Sequence, residues 1–491
     1  MVTIVHRAGT AGGLVVKRAF EDRRLLLRHQ DICWMSAVDL AKAIRKKKLS
    51  PVEVVRDILE RIEVINPRVN AYVTVIADSA LAEAKKAEKA LMKGEDIGPL
   101  LGVPVSIKDM IFTRGVRTTF GCKLLEDFVP EGDAAAVASL KQAGAIVMGK
   151  TNTSEFGFKP LTDNLIFGIT RNPWNLEKTS GGSSGGAAAA VASGLGPIAV
   201  GADGGGSIRI PSSCCGVFGI KPQLGRVPRY PAFPGGELIT HEGPITRTVR
   251  DAALMLDVMA GQHWGDVYSF PQAGVSFTRS LRLGVKGLRV AWSPDLGYAT
   301  VDPQVKIICE SAAKEFAVLG AKVEEAHPGF DNPEVHVGTI FGAHALEGLS
   351  VLGPVETVMD KMTQLTAAML FVSGELKATD YARALLAKHE LSVKVGRFLQ
   401  TYDLLLTPTL PSPPLPVDYD DPIGFLKWVA FTFPFNLTGQ PAASVPAGFT
   451  RAGLPVGLQI VGRPYDEATV FRAAAAFEEA HPWAQKKPSL E

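Results

Sequence analysis

The sequence predicts an α/β protein in which helices cover both faces of a sheet. Short apolar runs that are bounded by turn residues recur along most of the chain. They read VPVSIKD, AIVMGKT, IAVGAD, LRVAWSP, DLLLTPT, AASVPAG and VGLQIVG. Runs of this length are typical of buried strands, and their alternation with helical segments favours an α/β sheet. The 46% of hydrophobic and 21% of charged residues are those of an ordinary globular protein.

The helical segments carry their own signals. Ser50 to Glu53 form a capping box with a proline at the first helical position, and an apolar stripe follows at helical spacing. A second helix is predicted at about 77–93. Residues 303–400 are predicted to be mostly helical, as an insertion over one side of the sheet.

The first residues differ in composition from the remainder. Residues 1–34 are glycine-rich and then basic, without the continuous apolar stretch of a secretory signal. We expect them to be an N-terminal extension outside the core, with a single compact domain over 35–485. A chain that begins at Met35 is therefore expected to be active and nearly as stable as the full chain.

Composition argues against several classes of protein. The net charge is only +2, so nothing suggests a nucleic-acid-binding surface. The longest weakly polar run, at about 187–200, is too short and too rich in glycine to span a membrane. Five cysteines without a CxxC pair fit thiols in a reducing cytoplasm, and the nine histidines show no metal-binding spacing.

One motif suggests nucleotide binding by its letters alone. The stretch GAIVMGKT, Gly144 to Thr151, matches the phosphate-loop pattern GxxxxGK[ST]. Its middle residues favour a strand, whereas a phosphate loop needs exposed backbone amides. A helical segment precedes it, and Gly144 is placed as the cap of that helix. We therefore interpret this region as a helix that ends at Gly144, followed by a buried strand.

A second motif leaves an alternative open. The stretch GSSGG, Gly182 to Gly186, fits the nucleophile elbow G-x-S-x-G of α/β-hydrolases, with Ser184 at its centre. That elbow should follow a strand, but the preceding NPWNLEKTSG is loop-like. An esterase that uses Ser184 remains an alternative.

Three other pieces together indicate nucleophilic catalysis. They are Lys108 at the end of an apolar strand, Ser183 in GGSSGG, and Ser207 behind the glycines of GADGGGSIRIPS. A serine hydroxyl needs a base, and a buried lysine supplies one if its pKa falls from ~10.4 to near 7, a change worth ~4.6 kcal/mol. Consecutive glycines let backbone amides approach a substrate oxyanion closely.

These motifs resemble those of the amidase signature family of serine hydrolases. The similarity covers the chain from about Met35, and it is densest over 100–225. Its hallmarks are GVPVSIKD, GGSSGG and DGGGSIRIPSSCCGVFGIKP, and the tail NLTGQPAASVPAG also agrees. Lys108 precedes Ser183 by 75 residues and Ser183 precedes Ser207 by 24, spacings that also fit. The resemblance implies one domain with a mixed central sheet flanked by helices, and no cofactor.

The resemblance also implies a role for each residue of the motifs. Ser207 would be the acylated nucleophile, and Ser183, on a cis peptide after Gly182, would relay its proton to neutral Lys108. The backbone amides of Gly204, Gly205, Gly206 and Ser207 would hold the oxyanion. Asp203 and Arg209 would brace the loop, and Ser184 would be a hydrogen-bonding neighbour of the relay.

The implied activity is hydrolysis of small amides, with esters and carbamates reacting by the same route. The alternative within the family is the amidase component of a tRNA-dependent amidotransferase, which needs partner subunits. We expect a stand-alone monomer or homodimer. The substrate pocket is expected between the loop after Lys108, residues 156–168 and residues 303–400. The apolar candidates for its wall are Phe341, Met362, Met369 and Phe371.

Overall fold

The structure, a computed structural model, describes residues 32–490 except 96, 97, 273, 275, 355 and 356. The strands within these residues are β1 (Tyr72–Val75), β2 (Pro104–Lys108), β3 (Ile146–Thr151), β4 (Arg171–Asn172), β5 (Asn175–Thr179), β6 (Ile198–Asp203), β7 (Phe218–Lys221), β8 (His241–Thr246), β9 (Arg289–Trp292), β10 (Lys322–Glu325), β11 (Leu404–Pro408), β12 (Ala442–Phe449) and β13 (Pro455–Gly462). Eleven of them form a central mixed sheet in the order β1-β3-β2-β6-β8-β7-β12-β13-β11-β9-β10. A separate two-stranded sheet joins β4 and β5.

Helices lie on both sides of this sheet. They are α1 (Ala37–Arg45), α2 (Pro51–Val69), α3 (Ala77–Lys93), α4 (Ala135–Gln142), α5 (Gly185–Ala192), α6 (Arg209–Cys215), α7 (Val249–Met259), α8 (Phe277–Ser280), α9 (Pro303–Val318), α10 (Glu334–Leu349), α11 (Gln364–Gly374), α12 (Ala378–Thr401), α13 (Pro422–Trp428), α14 (Pro434–Thr438) and α15 (Glu467–Ala480). The capping box predicted at Ser50 begins α2, where the Ser50 hydroxyl accepts from the amides of Val52 and Glu53.

Alternation along β6 shows how the two faces are filled. Ile198 and Val200 belong to the apolar cluster on one face, whereas Ala199 between them belongs to the cluster on the other face. Successive side chains of a strand point to opposite faces, so a strand that is covered on both faces must be apolar throughout. This arrangement confirms the predicted α/β class with helices on both faces.

Two neighbouring strands bring the candidate site together. β2 and β6 are parallel neighbours in which Ile107 pairs with Val200. The carboxyl ends of parallel strands meet at one edge of the sheet, where α/β proteins bind their ligands. Lys108 ends β2 and Asp203 ends β6, so both lie at this edge.

The stretch that matches a phosphate loop forms no such loop. Ile146–Thr151 is strand β3, and Lys150 on it is fully buried. The Lys150 Nζ donates to the carbonyl of Ile111 at 2.5 Å and to the Thr118 hydroxyl at 2.9 Å. The amine therefore ties β3 to the loop after β2.

Residues 303–400 are more varied than a helical insertion. Helix α9 packs against β11, β12 and β13, and β10 extends the edge of the central sheet. The helices α10 and α12 lie on the opposite face of the same strands, where Ile340 and Leu391 cluster with Leu405, and α10 packs against both α11 and α12. Among the described residues, one helical stretch, Glu334–Leu352, is long and apolar enough for a membrane span by length and composition alone. Within the fold its Val337, Ile340 and Ala345 are buried.

The cysteines and potential metal ligands are distributed as follows in the described part of the chain. All five cysteines are buried and unbridged. Over 32–490, with the gaps given above, the structure has no group of three or more His, Cys, Asp or Glu side chains placed to hold a metal ion.

The end of the predicted N-terminal extension is packed against the domain. Most of residues 1–34 lie outside the described residues, and the proposed boundary at residue 35 stays a prediction. Ile32 and Cys33, however, are only 3% and 2% exposed. The ring of Trp34 lies against the cations of Arg61, Arg247 and Lys487 at 4.8–5.4 Å.

This packing changes the expected effect of truncation. A chain that begins at Met35 should unfold at a lower temperature than one that begins at Ile32. Burying one isoleucine is worth about 1.5–3 kcal/mol, and the Trp34 contacts are lost as well. Thermal unfolding of the two chains, followed by circular dichroism, measures the difference. Equal midpoints would show that residues 32–34 contribute nothing to the fold.

Candidate active site

A buried lysine and a buried serine form the centre of the site. The Lys108 Nζ lies 2.6 Å from the Ser183 Oγ in a hydrogen bond, and 3.4 Å from the carbonyl oxygen of Ala202. Both side chains are 1% exposed. The peptide between Gly182 and Ser183 is cis, as the family resemblance implied. The structure therefore brings together two residues that lie 75 positions apart.

Ser207 lies on the turn between β6 and α6. It is 8% exposed, more open than either Lys108 or Ser183. Its carbonyl accepts from the Ser184 amide at 3.2 Å, which joins this turn to the segment that carries Ser183. Among the described residues, no hydrogen bond joins the hydroxyls of Ser183 and Ser207. Hydrogen bonds of this kind often tighten only when substrate is bound.

Two glycines are required by close contacts at these turns. A Cβ at Gly182 would lie 2.6 Å from the carbonyl carbon of Leu161. Gly206 has φ +135°, and a Cβ there would overlap the Thr432 Oγ1. A larger residue at either position would displace the adjacent serine.

One of the four amides predicted to hold an oxyanion already has a partner within the protein. The Gly206 amide donates to the Asp203 Oδ1 at 2.7 Å, so it is committed to the turn itself. In the described structure no hydrogen bond uses the amides of Gly204, Gly205 or Ser207. Only these three of the four predicted amides are available to an oxyanion. An aspartate three residues before an amide commonly caps it, a local signal that could have identified this bond.

Asp203 and Arg209 form a fully buried ion pair beneath the turn. The Arg209 Nη2 lies 2.9 Å from the Asp203 Oδ1, and its Nε donates to Oδ2 at 3.0 Å. The remaining guanidinium bonds reach distant residues, namely the Thr432 carbonyl, the Gln459 side chain and the Asn436 side chain. This geometry agrees with the predicted bracing role.

The pKa values of Lys108 and Asp203 are both lowered, but by different physical causes. Burial lowers the pKa of Lys108 to about 7, against the opposing charges of Asp203 and Glu242. Burial raises the pKa of Asp203, but the charge and hydrogen bonds of Arg209 outweigh it and hold that pKa well below its usual value. The site thus combines a lysine that is readily neutral with an aspartate that stays ionised.

Ser184 does not have the environment of a nucleophile. It is 0% exposed. Its hydroxyl donates to the Ala202 carbonyl at 3.0 Å and accepts from the Ala202 amide at 3.2 Å. Both functions of the hydroxyl are used within the protein, so the alternative of an elbow built on Ser184 is not supported. Ser184 and Lys108 share the Ala202 carbonyl, as expected for a neighbour of the relay.

A pocket with aromatic walls opens beside the turn that carries Ser207. It encloses about 750 Å³, including its opening to solvent, and Ala202, Met110 and Thr240 contribute to its wall. Its phenylalanine rings come from Phe112, Phe120, Phe156, Phe158, Phe233 and Phe341. A Cβ at Gly204 would lie 3.2 Å from the Thr240 Oγ1 and 3.5 Å from Phe341. Both residues line the pocket, so the pocket adjoins the turn between β6 and α6.

The sequence located this pocket only in part. Phe341 lines it as predicted. Met362 and Met369 pack in the cluster behind its wall, and Phe371 is 68% exposed. Sequence reasoning missed Phe120 and Phe233, which lie in loops without a motif. It also missed Glu242, because its strand, HEGPIT, is not one of the apolar runs that marked the predicted strands.

Comparisons with known proteins agree with this site. The family model described as Amidase matches residues 53–471. The chain is 40% identical to an acylamidase of Rhodococcus erythropolis, over 94% of this chain and 99% of that protein. It is 37% identical to a glutamyl-tRNA(Gln) amidotransferase subunit of Geobacter metallireducens, over 92% and 98%. A bacterial aryl acylamidase of the amidase signature family superposes with a TM-score of 0.86 at 32% identity, over 92% of this chain and 97% of that one.

The matched lengths and identities establish the class. The chain belongs to the amidase family, and it is an amide-hydrolysing enzyme. The family resemblance stated from the motifs is therefore confirmed, together with the mixed sheet that it implied.

The buried ion pair beneath Ser207 generates a stability prediction. Arg209→Met should lower the free energy of unfolding by about 3–5 kcal/mol, because it leaves the Asp203 carboxylate buried without its cation. Arg250→Met is the matched control, since the Arg250–Asp39 pair is about half exposed and exposed pairs contribute about 0–1 kcal/mol. Denaturant unfolding of both variants measures the contrast. A similar loss for both would contradict a special role for the buried pair.

Proposed function

We propose that this enzyme hydrolyses carboxylic acid amides through an acyl-enzyme on Ser207, with Ser183 and Lys108 as its proton relay. The observation that carries the proposal is the 2.6 Å hydrogen bond between the buried Lys108 Nζ and the Ser183 Oγ, next to the Ser207 turn. A serine hydroxyl is activated only when a neighbouring base takes its proton. Lys108 is the amine in place, and burial makes its neutral form accessible.

The steps follow from this geometry. The Ser207 Oγ attacks the substrate carbonyl carbon while its proton passes to Ser183, and the Ser183 proton passes to Lys108. The amides of Gly204, Gly205 and Ser207 donate to the developing oxyanion, and one such donor is worth roughly 2.7–4 kcal/mol. The proton then returns through Ser183 to the leaving nitrogen. Water deacylates Ser207 by the same relay.

The pocket supports aryl or aliphatic amides as substrates. Its six phenylalanine rings suit a flat apolar group next to the scissile bond. Esters and carbamates (urethanes) present the same carbonyl to Ser207, so we include them in the proposed range. The acylamidase and aryl acylamidase among the relatives support this choice.

The second candidate is the glutaminase component of a tRNA-dependent amidotransferase. The 37% identity to an amidotransferase subunit from Geobacter metallireducens favours it. The acylamidase is more similar, and the apolar pocket suits an aryl group better than a glutamine side chain. Assays of the isolated chain with glutamine and with acetanilides discriminate the two.

We further propose that the enzyme acts in the cytoplasm as a monomer or homodimer. Its substrates would be small molecules, without nucleic acid or membrane. Its unbridged thiols support that location.

Replacing the nucleophile should abolish the activity. Ser207→Ala should lower kcat/KM by at least three orders of magnitude for every substrate, because no other group in the proposed relay can form the acyl-enzyme. A fluorophosphonate should label Ser207 in the unaltered enzyme, and peptide mass spectrometry locates the label. Label on Ser184, or full activity of Ser207→Ala, would contradict the proposal.

The activity should rise with pH near neutrality. Lys108 is protonated and unable to accept a proton below its pKa of about 7, so kcat/KM should increase through this pH and then level off. Lys108→Ala should flatten the rise and cost several orders of magnitude. Amides should lose more than esters, because an amine leaves only with the relayed proton. Rate–pH profiles of a matched amide and ester measure both effects.

A second buried lysine provides the control for this profile. Burial lowers the pKa of Lys150 to about 8, yet its amine donates to Ile111, Thr113 and Thr118 and, among the described residues, makes no hydrogen bond to the relay. Lys150→Met should keep the rise in activity, whatever it does to stability. Equal losses of amide and ester activity in Lys108→Ala would refute the relay.

A further inference from the structure

An unpaired carboxyl group lies in the wall of the substrate pocket. Glu242 on β8 is 4% exposed and lines the pocket. Its Oε2 is fully buried and has no hydrogen-bond partner among the described residues. A buried polar atom without a partner costs about 1–3 kcal/mol, so a fold seldom retains one without use.

The register of the sheet places this carboxyl group beside the relay. Glu242 pairs with Ala202 across β8 and β6, and directly paired residues point to the same face. The Ala202 carbonyl is the group that contacts the Lys108 amine. A substrate whose carbonyl lies at Ser207 therefore extends past Glu242 when it fills the aromatic pocket.

A cationic side chain lines the same pocket. The Arg229 Nε is also buried without a hydrogen-bond partner among the described residues. No ion pair within 4.0 Å joins Arg229 to Glu242 in the part of the chain that the structure describes, so each keeps hydrogen-bonding capacity. Burial raises the pKa of Glu242 to about 7, against the charge of Arg229.

We infer that Glu242 and Arg229 form a polar subsite that selects substrates with a neutral group that both donates and accepts hydrogen bonds. This inference rests on the proposed function. A hydroxyl or a primary carboxamide on the aryl group fits, since it donates to the Glu242 carboxylate and accepts from the Arg229 guanidinium. A cationic group would face the Arg229 charge, and an alkyl group would leave both polar side chains unpaired. Rotation about the terminal torsion of Glu242 turns either carboxyl oxygen toward the pocket.

The test compares substrates that differ in one group. Benzanilides with a methyl, hydroxyl, carboxamide or aminomethyl group, placed at the meta or para position of either ring, are assayed with the unaltered enzyme, Glu242→Leu and Glu242→Gln. The hydroxyl or carboxamide substrate should exceed the methyl substrate in kcat/KM by about tenfold or more at one position at least, the effect of one buried hydrogen bond. Glu242→Leu should reverse this preference, and Glu242→Gln should retain most of it because its amide still accepts.

Ratios between substrates isolate the subsite. A change that Glu242→Leu causes in Lys108 affects all substrates and cancels in the ratio. Glu478→Gln is the control, because Glu478 is a partly buried glutamate that accepts from the Val249 amide and is absent from the pocket wall. It should leave the hydroxyl-to-methyl ratio unchanged. An unchanged ratio in Glu242→Leu, or a preference for the aminomethyl substrate, would overturn the inference.

Binding separates this inference from the proposed function. The Ser207→Ala enzyme is titrated with hydroxybenzamide and methylbenzamide by calorimetry, which requires no turnover. Tighter binding of the hydroxyl compound, lost when Glu242→Leu is added, supports the subsite even if benzanilides are not cleaved. Cleavage of benzanilides without any such preference keeps the proposed function and refutes the subsite.

Discussion

The buried pair of Asp203 and Arg209 is the interaction on which the site depends. Two opposite charges with no access to water are stable only when every hydrogen bond of each is made, and here the guanidinium reaches both carboxylate oxygens. Asp203 also accepts from the amides of Gly206 and Ile208, on both sides of Ser207. One aspartate therefore determines the path of the backbone that presents Ser207, the proposed nucleophile, and its ionised state is part of the structure.

The same pair sets the electrostatic conditions of the relay. A lysine as deeply buried as Lys108 favours its neutral form, and the negative charge of Asp203 opposes that tendency. Burial outweighs that charge, so the pKa of Lys108 lies near neutral pH. In the proposed relay, a base with a pKa near the working pH can both take and return a proton.

Sequence reasoning identified the elements that a short stretch of residues is enough to predict. Lys108, Ser183 and Ser207 were proposed because each lies in a short motif, and seven of the thirteen strands in the described residues were predicted because they are continuously apolar. The resemblance implied the bracing by Asp203 and Arg209, but the distant partners of Arg209 were not found, since Asn436 and Gln459 lie 227 and 250 residues away from it. No pattern along a single chain encodes such contacts. The aromatic wall has the same origin, because its rings come from separate loops and from α10.

The long-range bonds of Arg209 have a consequence for the synthesis of this enzyme. Lys108, Ser183 and Ser207 are translated well before Thr432, Asn436 and Gln459, which supply the remaining bonds of the guanidinium. A nascent chain that ends before residue 432 therefore contains Lys108, Ser183 and Ser207, but its Arg209 lacks these hydrogen-bond partners. Domains fold as units once their sequence has emerged. The full set of Arg209 hydrogen bonds can therefore form only after the last strands have left the ribosome.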